Sequence, residues 1–417
     1  MNQPVRALRP EDLQAPRPIY VVWETTLRCD HECAHCGSRA GDARPDELST
    51  EELLEVADAL VRLGSREVTL IGGEAYLRGD CTRLIEHMTR AGIRVTMQTG
   101  GRGLTPDRVR RLRDAGLAAV GVSVDGPEHA HDTLRASPGS HAAAMRAIRN
   151  AREAGLVVTS NSQINRLNKD LLRETAELLA DAGVAVWRAQ MTAPMGRAAD
   201  RPDWLLEPYM ILEVIDTLAE IQRWAQRRAE ERGIAWERAF HVRLGNNLGY
   251  FGPHEQLLRS RPGAPESYWQ GCAAGKFVMG IESDGTIKGC PSLPTAPYTG
   301  GNVRTAKLEE IWDHEAIAFT RDRGTSELWG FCKSCYYAEV CRAGCSFTAH
   351  SAIGKRGNNP FCYYRAAQLK RRGLRERVVL RQAAPGDPYD FGLYEIVEEA
   401  WDSPPVRAPV RLPVLSG

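Results

Sequence analysis

Residues 29–36 read "CDHECAHC", three thiols and two imidazoles in eight positions, directly after the β-like run "IYVVWETT" at 19–26. The spacing is Cys29-x3-Cys33-x2-Cys36. Zinc takes four tetrahedral donors, and His31 or His35 could complete such a set. A dithiol redox motif would use Cys-x2-Cys and leave the third thiol idle. An iron–sulfur cube held by three thiolates leaves one iron open to chelate a ligand through amine and carboxylate. The spacing favours the cube and leaves zinc open.

Composition narrows the setting. The chain has 417 residues, enough for two or three domains. Its 54 Lys+Arg and 53 Asp+Glu nearly cancel, so no global field points to nucleic acid or an anionic membrane. The first twenty residues, "MNQPVRALRPEDLQAPRPIY", lack the apolar run of a secretory signal, and no stretch has the apolar length of a membrane span. The expectation is a cytoplasmic protein without nucleic-acid or membrane partners. In a reducing compartment eleven cysteines point to metal or redox chemistry rather than disulfides. Three lie at 29–36, one at 81, and seven between 272 and 362.

Six β-like runs alternate with helix-like runs: 19–26, 67–73, 94–100, 119–126, 157–164 and 185–191. "AGI", "AGL" and "AGV" pieces at 91, 115, 154 and 182 precede strands and read as glycine-closed helix ends. Ser49 or Thr50 followed by glutamates reads as a helix start. This order predicts an α/β fold with parallel strands, a partial (β/α)6 barrel over 19–200 preceded by a segment at 1–18. A helical linker follows at 201–269, with one long helix at 207–233. A cysteine-rich domain occupies 270–365 and opens with a hairpin turning at Asp284-Gly285. The remainder, 366–417, reads as a basic helix and a Pro-rich, partly mobile tail.

With the triad placed after the first barrel strand, the chain resembles the radical S-adenosylmethionine (SAM) enzymes. "IGGEAYL" supplies Gly72-Gly73-Glu74 at the end of the second strand, similar to the family's GGE motif. His35 stands where the family usually has an aromatic residue, and Ala75 where many members have proline. The resemblance implies a [4Fe–4S] cluster on Cys29, Cys33 and Cys36, with SAM's ammonium held at Gly72, Gly73 and Glu74. It also implies SAM contacts from Ser123, Asp125, Arg135 and Asn161, and an adenine wall at "MTAPMGRA" (191–198). Cys81 matches no motif and reads as a buried small side chain. "GGRGLTP" (100–106) reads as a loop.

The seven later cysteines read Cys272-x12-Gly285-x4-Cys290, then Cys332-x2-Cys335-x5-Cys341-x3-Cys345, then Cys362. These spacings resemble the SPASM domain, the auxiliary-cluster extension of radical SAM enzymes. Two zinc knuckles are the structural alternative. The resemblance implies one auxiliary [4Fe–4S] cluster on Cys272, Cys290 and Cys345, and a second on Cys332, Cys335, Cys341 and Cys362. Some relatives carry one more cysteine where this chain has Val278, so the first auxiliary cluster has three evident thiolates. Together these imply three [4Fe–4S] clusters, SAM and an electron donor. SAM would be cleaved reductively to a 5′-deoxyadenosyl radical that takes hydrogen from an unactivated carbon. The expected substrate is a ribosomally made precursor peptide, with a separate leader-recognition protein or the long helix and basic stretch as contact surfaces. The alternative is a dehydrogenase acting on a small molecule or a sulfatase. No residue stands out as a catalytic acid or base, and no hydrolytic or nucleotide-phosphate motif is present.

Overall fold

Each expected β/α unit begins where the sequence marks it. Ser49 caps the helix Thr50–Arg62, accepting from Glu52 N while the Glu52 carboxylate accepts from Ser49 N at 2.7 Å. Gly92, Gly116, Gly155 and Gly183 all take positive φ just past helix ends, which frees the chain to turn into the next strand. The computed structural model describes residues 5–262 and 265–404.

The six expected strands are β1 (Tyr20–Glu24), β2 (Glu67–Ile71), β3 (Arg94–Thr99), β4 (Ala119–Ser123), β5 (Val157–Ile164) and β6 (Val186–Met191). All pair in parallel and in chain order. Val68, Leu70, Val95, Met97, Val120, Val122, Val158 and Trp187 project from one face into the main hydrophobic core. Strand alternation therefore turns Thr69, Thr96, Gln98, Ser123, Asn161, Gln163, Arg188 and Gln190 to the opposite, inner face.

Two elements extend this sheet beyond six strands. β7 (His241–Leu244) pairs in parallel with β6, inside the stretch expected to be a helical linker. Four residues of strand between loop residues are too short to declare a period, and pairing with β6 decides them. The hairpin expected at Asp284-Gly285 forms from β8 (Val278–Ile281) and β9 (Thr286–Lys288), with Gly285 at φ 90°. β8 pairs in parallel with β1, and β10 (Thr299–Asn302) continues the sheet beyond β9. One sheet, ordered β10-β9-β8-β1-β2-β3-β4-β5-β6-β7, thus joins the barrel to the cysteine-rich region.

The long helix spans Ile211–Glu231 and buries Ile211, Val214, Ile215, Leu218 and Ile221. Much of its polar side is engaged within the chain, through Lys169 with Glu213, Tyr363 with Asp216 and Arg228 with Asp181. The basic helix expected over 366–381 is corrected. The helix Tyr363–Arg371 stops before Gly373, at φ 71°, and the next residues form β11 (Leu374–Gln382). β11 pairs antiparallel with β12 (Leu393–Ala400), whose Glu399 and Glu395 neutralise Arg375, Arg377 and Arg381. The Pro-rich tail past residue 404 lies outside the described residues.

Candidate functional site: three thiol groups around a partial barrel

The loop carrying Cys29, Cys33 and Cys36 leaves β1 and is fixed from two sides. Gly73 N donates to Thr26 O and Glu74 N to Arg28 O, both at 2.8 Å. A β-carbon on Gly72 would collide with Thr26 O, and one on Gly73 with the carbonyls of Leu27 and Arg28. The glycines are thus needed for the cluster loop's own backbone to approach β2, a constraint separate from any ligand. On the other side, Arg197 donates to Cys33 O at 2.8 Å and Ala40 O at 2.9 Å, and its backbone N–H to Cys36 O. Gly196, at φ 58°, leaves no room for a β-carbon against the carbonyls of Cys36 and Gly37. The expected adenine segment therefore also grips the triad.

Glu74 is buried, accepting from Gly100 N at 2.6 Å and from the Thr99 hydroxyl. Burial pushes its carboxyl up to about 8. Beside it His31 is buried with both ring nitrogens unpartnered, as is Asp30 Oδ1. These orphaned atoms around the loop fit a bound polar ligand. Asp125 and Arg135 form a buried ion pair at 2.7 Å, and Arg135 Nη1 donates to Cys33 Sγ at 3.6 Å. His35 reaches Asp125 at 3.4 Å and Leu134 O at 2.9 Å. Asp125 also accepts from Gln163 N at 2.8 Å, so its carboxylate is committed to holding the loop and β5. Ser123 and Asn161 are register partners on the half-buried inner face, with Asn161 donating to Gln98. Sequence reasoning missed Thr99, Gly100 and the grip of Arg197 on the triad, and weighed His31 only as a zinc donor. "GGRGLTP" is a loop as expected, yet its first glycine holds Glu74.

The seven remaining motif cysteines fall into two groups. The Cys345 thiol is pushed up to about 12 by burial, with Cys272 and Cys290 adding to it. Burial raises Cys362 to about 12, with Cys332 and Cys335 close by, and Cys341 feels the same three thiols. Cys332, Cys335, Cys341 and Cys362 line one pocket, partly open to solvent, together with Tyr250, Phe331 and Arg365. At the first group, Arg323 is buried near Cys272 and its Nη2 has no hydrogen-bond partner, a donor suited to an anionic cluster. A tetrahedral zinc at ~2.3 Å would draw its sulfurs to within about 4 Å of one another. Among the described residues the one trio of donor atoms inside 4.8 Å is Cys29, Asp30 and Glu74, a single thiol with two carboxylates. The wider thiol groups fit cubes better than single ions. Cys81 is buried in the hydrophobic core, away from all three.

A family model described as the radical SAM superfamily matches residues 23–179, and one described as an iron–sulfur cluster-binding SPASM domain matches residues 272–336. The chain carries a radical SAM domain and a SPASM domain. It is a radical SAM/SPASM enzyme, whose domains imply [4Fe–4S] clusters and SAM. It is 27% identical over 374 residues to the AdoMet-dependent heme synthase of Nitratidesulfovibrio vulgaris, covering 85% of this chain and 95% of that protein. It is 29% identical over 335 residues to the mycofactocin maturase MftC of Mycolicibacterium smegmatis, covering 79% and 78%. Among solved structures, Streptococcus suis SuiB bound to S-adenosylmethionine superposes with a TM-score of 0.61 at 16% identity, over 80% of this chain and 74% of that one. Native anSMEcpe with bound AdoMet and a peptide gives 0.64 at 15%, over 84% and 94%. These two likenesses show the fold. No helix among the described residues is long and apolar enough to cross a membrane.

Proposed function

We propose that this radical SAM/SPASM enzyme is an oxidoreductase with three [4Fe–4S] clusters. Cys29, Cys33 and Cys36 would hold the SAM-binding cluster, Cys272, Cys290 and Cys345 the first auxiliary cluster, and Cys332, Cys335, Cys341 and Cys362 the second. The observation that carries it is the sorting of ten thiols into three groups around one shared sheet. When bound, the first cluster and SAM supply a hydrogen-abstracting radical, and the auxiliary clusters supply a sink for the substrate's electron.

The chain's own residues position and shield. Gly72, Gly73, Gly196 and Arg197 hold the triad loop rigid, and Arg135 places a positive charge on the Cys33 sulfur. The buried Glu74 carboxyl faces the loop and would accept SAM's ammonium, while Ser123 and Asn161 offer polar contacts on the inner face. The segment 383–392 covers the mouth: Gly196 N donates to Asp390 O at 2.9 Å, and Arg39 binds the Asp390 side chain at 2.8 Å. A covered mouth would help exclude water from an indiscriminate radical.

A precursor-peptide substrate is supported by the likeness to MftC and by the peptide-bound structures of this fold. A tetrapyrrole substrate is supported by the heme synthases, which align with 84–85% of this chain. The deciding experiment reconstitutes the enzyme anaerobically, adds SAM and reductant, and quantifies 5′-deoxyadenosine while supplying size-fractionated host lysate. Stimulation destroyed by protease supports the peptide. Stimulation by a small, protease-resistant fraction supports the tetrapyrrole-type reading. No 5′-deoxyadenosine at full iron loading would overturn the radical mechanism.

A further inference from the structure

The outer side of the second thiol group carries a continuous aromatic surface. Tyr336, directly after Cys335, is 83% exposed, and Val340 and Tyr268 are 43% and 46% exposed. Behind them the rings are connected. Tyr336 meets Tyr337 edge-on with centroids 4.9 Å apart, and Tyr337 stacks on Phe251 at 4.2 Å. Tyr337 also meets Tyr364 at 4.9 Å, and Phe251 reaches Tyr268 at 6.5 Å. Phe251, Tyr337 and Tyr364 line the same pocket as Cys332, Cys335, Cys341 and Cys362, and that pocket is partly open to solvent. An apolar patch anchored in this way and left in water marks an interaction site.

Cations rim the patch. Lys333, between Cys332 and Cys335, is exposed. Arg371 is exposed and stands seven residues after Tyr364 on the helix Tyr363–Arg371, two turns along the same face. The stretch 363–373 holds four cations and no acid. Of these Arg365 is buried and paired with Glu376 at 2.6 Å, whereas Lys370, Arg371 and Arg372 are exposed. Among the described residues, Lys333 and Arg371 have no ion pair. The acid within 331–345 is Glu339, which accepts from the Thr325 hydroxyl at 3.4 Å. Such a rim favours a partner with an acidic face, because opposite charge steers the encounter and fixes its orientation. Contacts between redox partners are small and transient, which fits a patch of a few rings and cations.

We propose that Tyr336, Val340 and Tyr268, rimmed by Lys333 and Arg371, form the docking surface for a small acidic one-electron carrier protein. Docked there, the carrier lies against the thiols assigned above to the second auxiliary cluster. It arrives oxidised and leaves reduced by one electron, the one that the substrate gives up. No bond is made and no proton is moved at this surface. The proposal rests on the three-cluster reading above and adds to it the face and the charge of the redox partner.

The test measures binding of an acidic plant-type [2Fe–2S] ferredoxin to the reconstituted full chain by calorimetry, with basic cytochrome c as control. Ionic strengths of about 0.01 M and about 0.15 M vary the screening. The ferredoxin should bind at the lower strength and about tenfold more weakly at the higher, and cytochrome c should not bind. Lys333→Glu and Arg371→Glu should each weaken ferredoxin binding about tenfold, and Tyr336→Ser should weaken it at both strengths. These three side chains are exposed, so the melting temperature of each variant should match the wild type. Absence of ferredoxin binding, equal binding by the variants, or equal binding of cytochrome c would overturn the proposal. So would a dimer in sedimentation that Tyr336→Ser abolishes, since the face would then belong to a second copy of this chain. Iron and acid-labile sulfide are counted separately. A count short of three cubes per chain sinks the cluster reading alone, and full loading without ferredoxin binding sinks the docking surface alone.

Discussion

Asp125 shows how one carboxylate can tie a cluster loop to its barrel. Burial would raise its carboxyl, yet Arg135 and His35 hold it well below the usual carboxylate range. Replacing it by asparagine leaves the Arg135 guanidinium buried without its counter-charge, and Asp125→Asn should cost about 3–5 kcal/mol in denaturant unfolding. A depressed folded value means the stabilisation is complete above the unfolded carboxyl value of about 3.9 and is lost only as pH falls through the folded one. The Arg135 share of the penalty should therefore persist at about pH 5 as at about pH 8, and a penalty that vanishes at the lower value would refute the pairing. Gly196→Ala makes a second case, because a β-carbon there meets the carbonyls of Cys36 and Gly37. The variant should lose one cluster's share of iron and acid-labile sulfide after reconstitution, while the auxiliary share persists. The cysteines and Gly72-Gly73-Glu74 were legible in sequence because their chemistry lies in local spacing. Arg39 and Asp390 were not, since 351 residues separate the partners and neither carries a local mark.

At the scale of elements, helix ends and parallel strands were readable because glycine and apolar alternation act within a few residues. β7 and β11 were not, since both are decided by a neighbour: β6 for the first, β12 for the second. Gly373 is the pivot that ends the basic helix, and a β-carbon there meets open space. Gly373→Ala should therefore cost only the left-handed backbone strain, about 1–2 kcal/mol, measured by chemical denaturation. A larger loss would mean that contacts, rather than φ, fix this turn. The loop between β11 and β12 sends the Tyr389 hydroxyl to the buried Glu24 carboxylate, which also accepts from the Ser283 hydroxyl at 2.9 Å. Tyr389→Phe removes one donor from that carboxylate and should cost about 1–3 kcal/mol. Hydrogen exchange should quicken first at residues 383–392, and uniform exchange across the chain would argue against a local role.

For the whole molecule, the described residues divide unevenly between regular structure and metal-dependent loop. The barrel strands carry the large hydrophobic core, whereas Cys332–Cys362 is built of short helical turns around the thiol-lined pocket. Where ligands come from distant loops, metal binding becomes folding energy. Stripping iron with a chelator should therefore open residues 332–362 to protease while β2–β5 keep slow hydrogen exchange. Simultaneous loss of both would show that the sheet itself depends on metal. That sheet has one more consequence. Because β8 is hydrogen-bonded directly to β1, the auxiliary region has no hinge against the barrel. On the three-cluster reading proposed above, the spans an electron would cross are set when the chain folds. Motion that admits substrate would then fall to a loop such as 383–392 rather than to a shift of one region against the other.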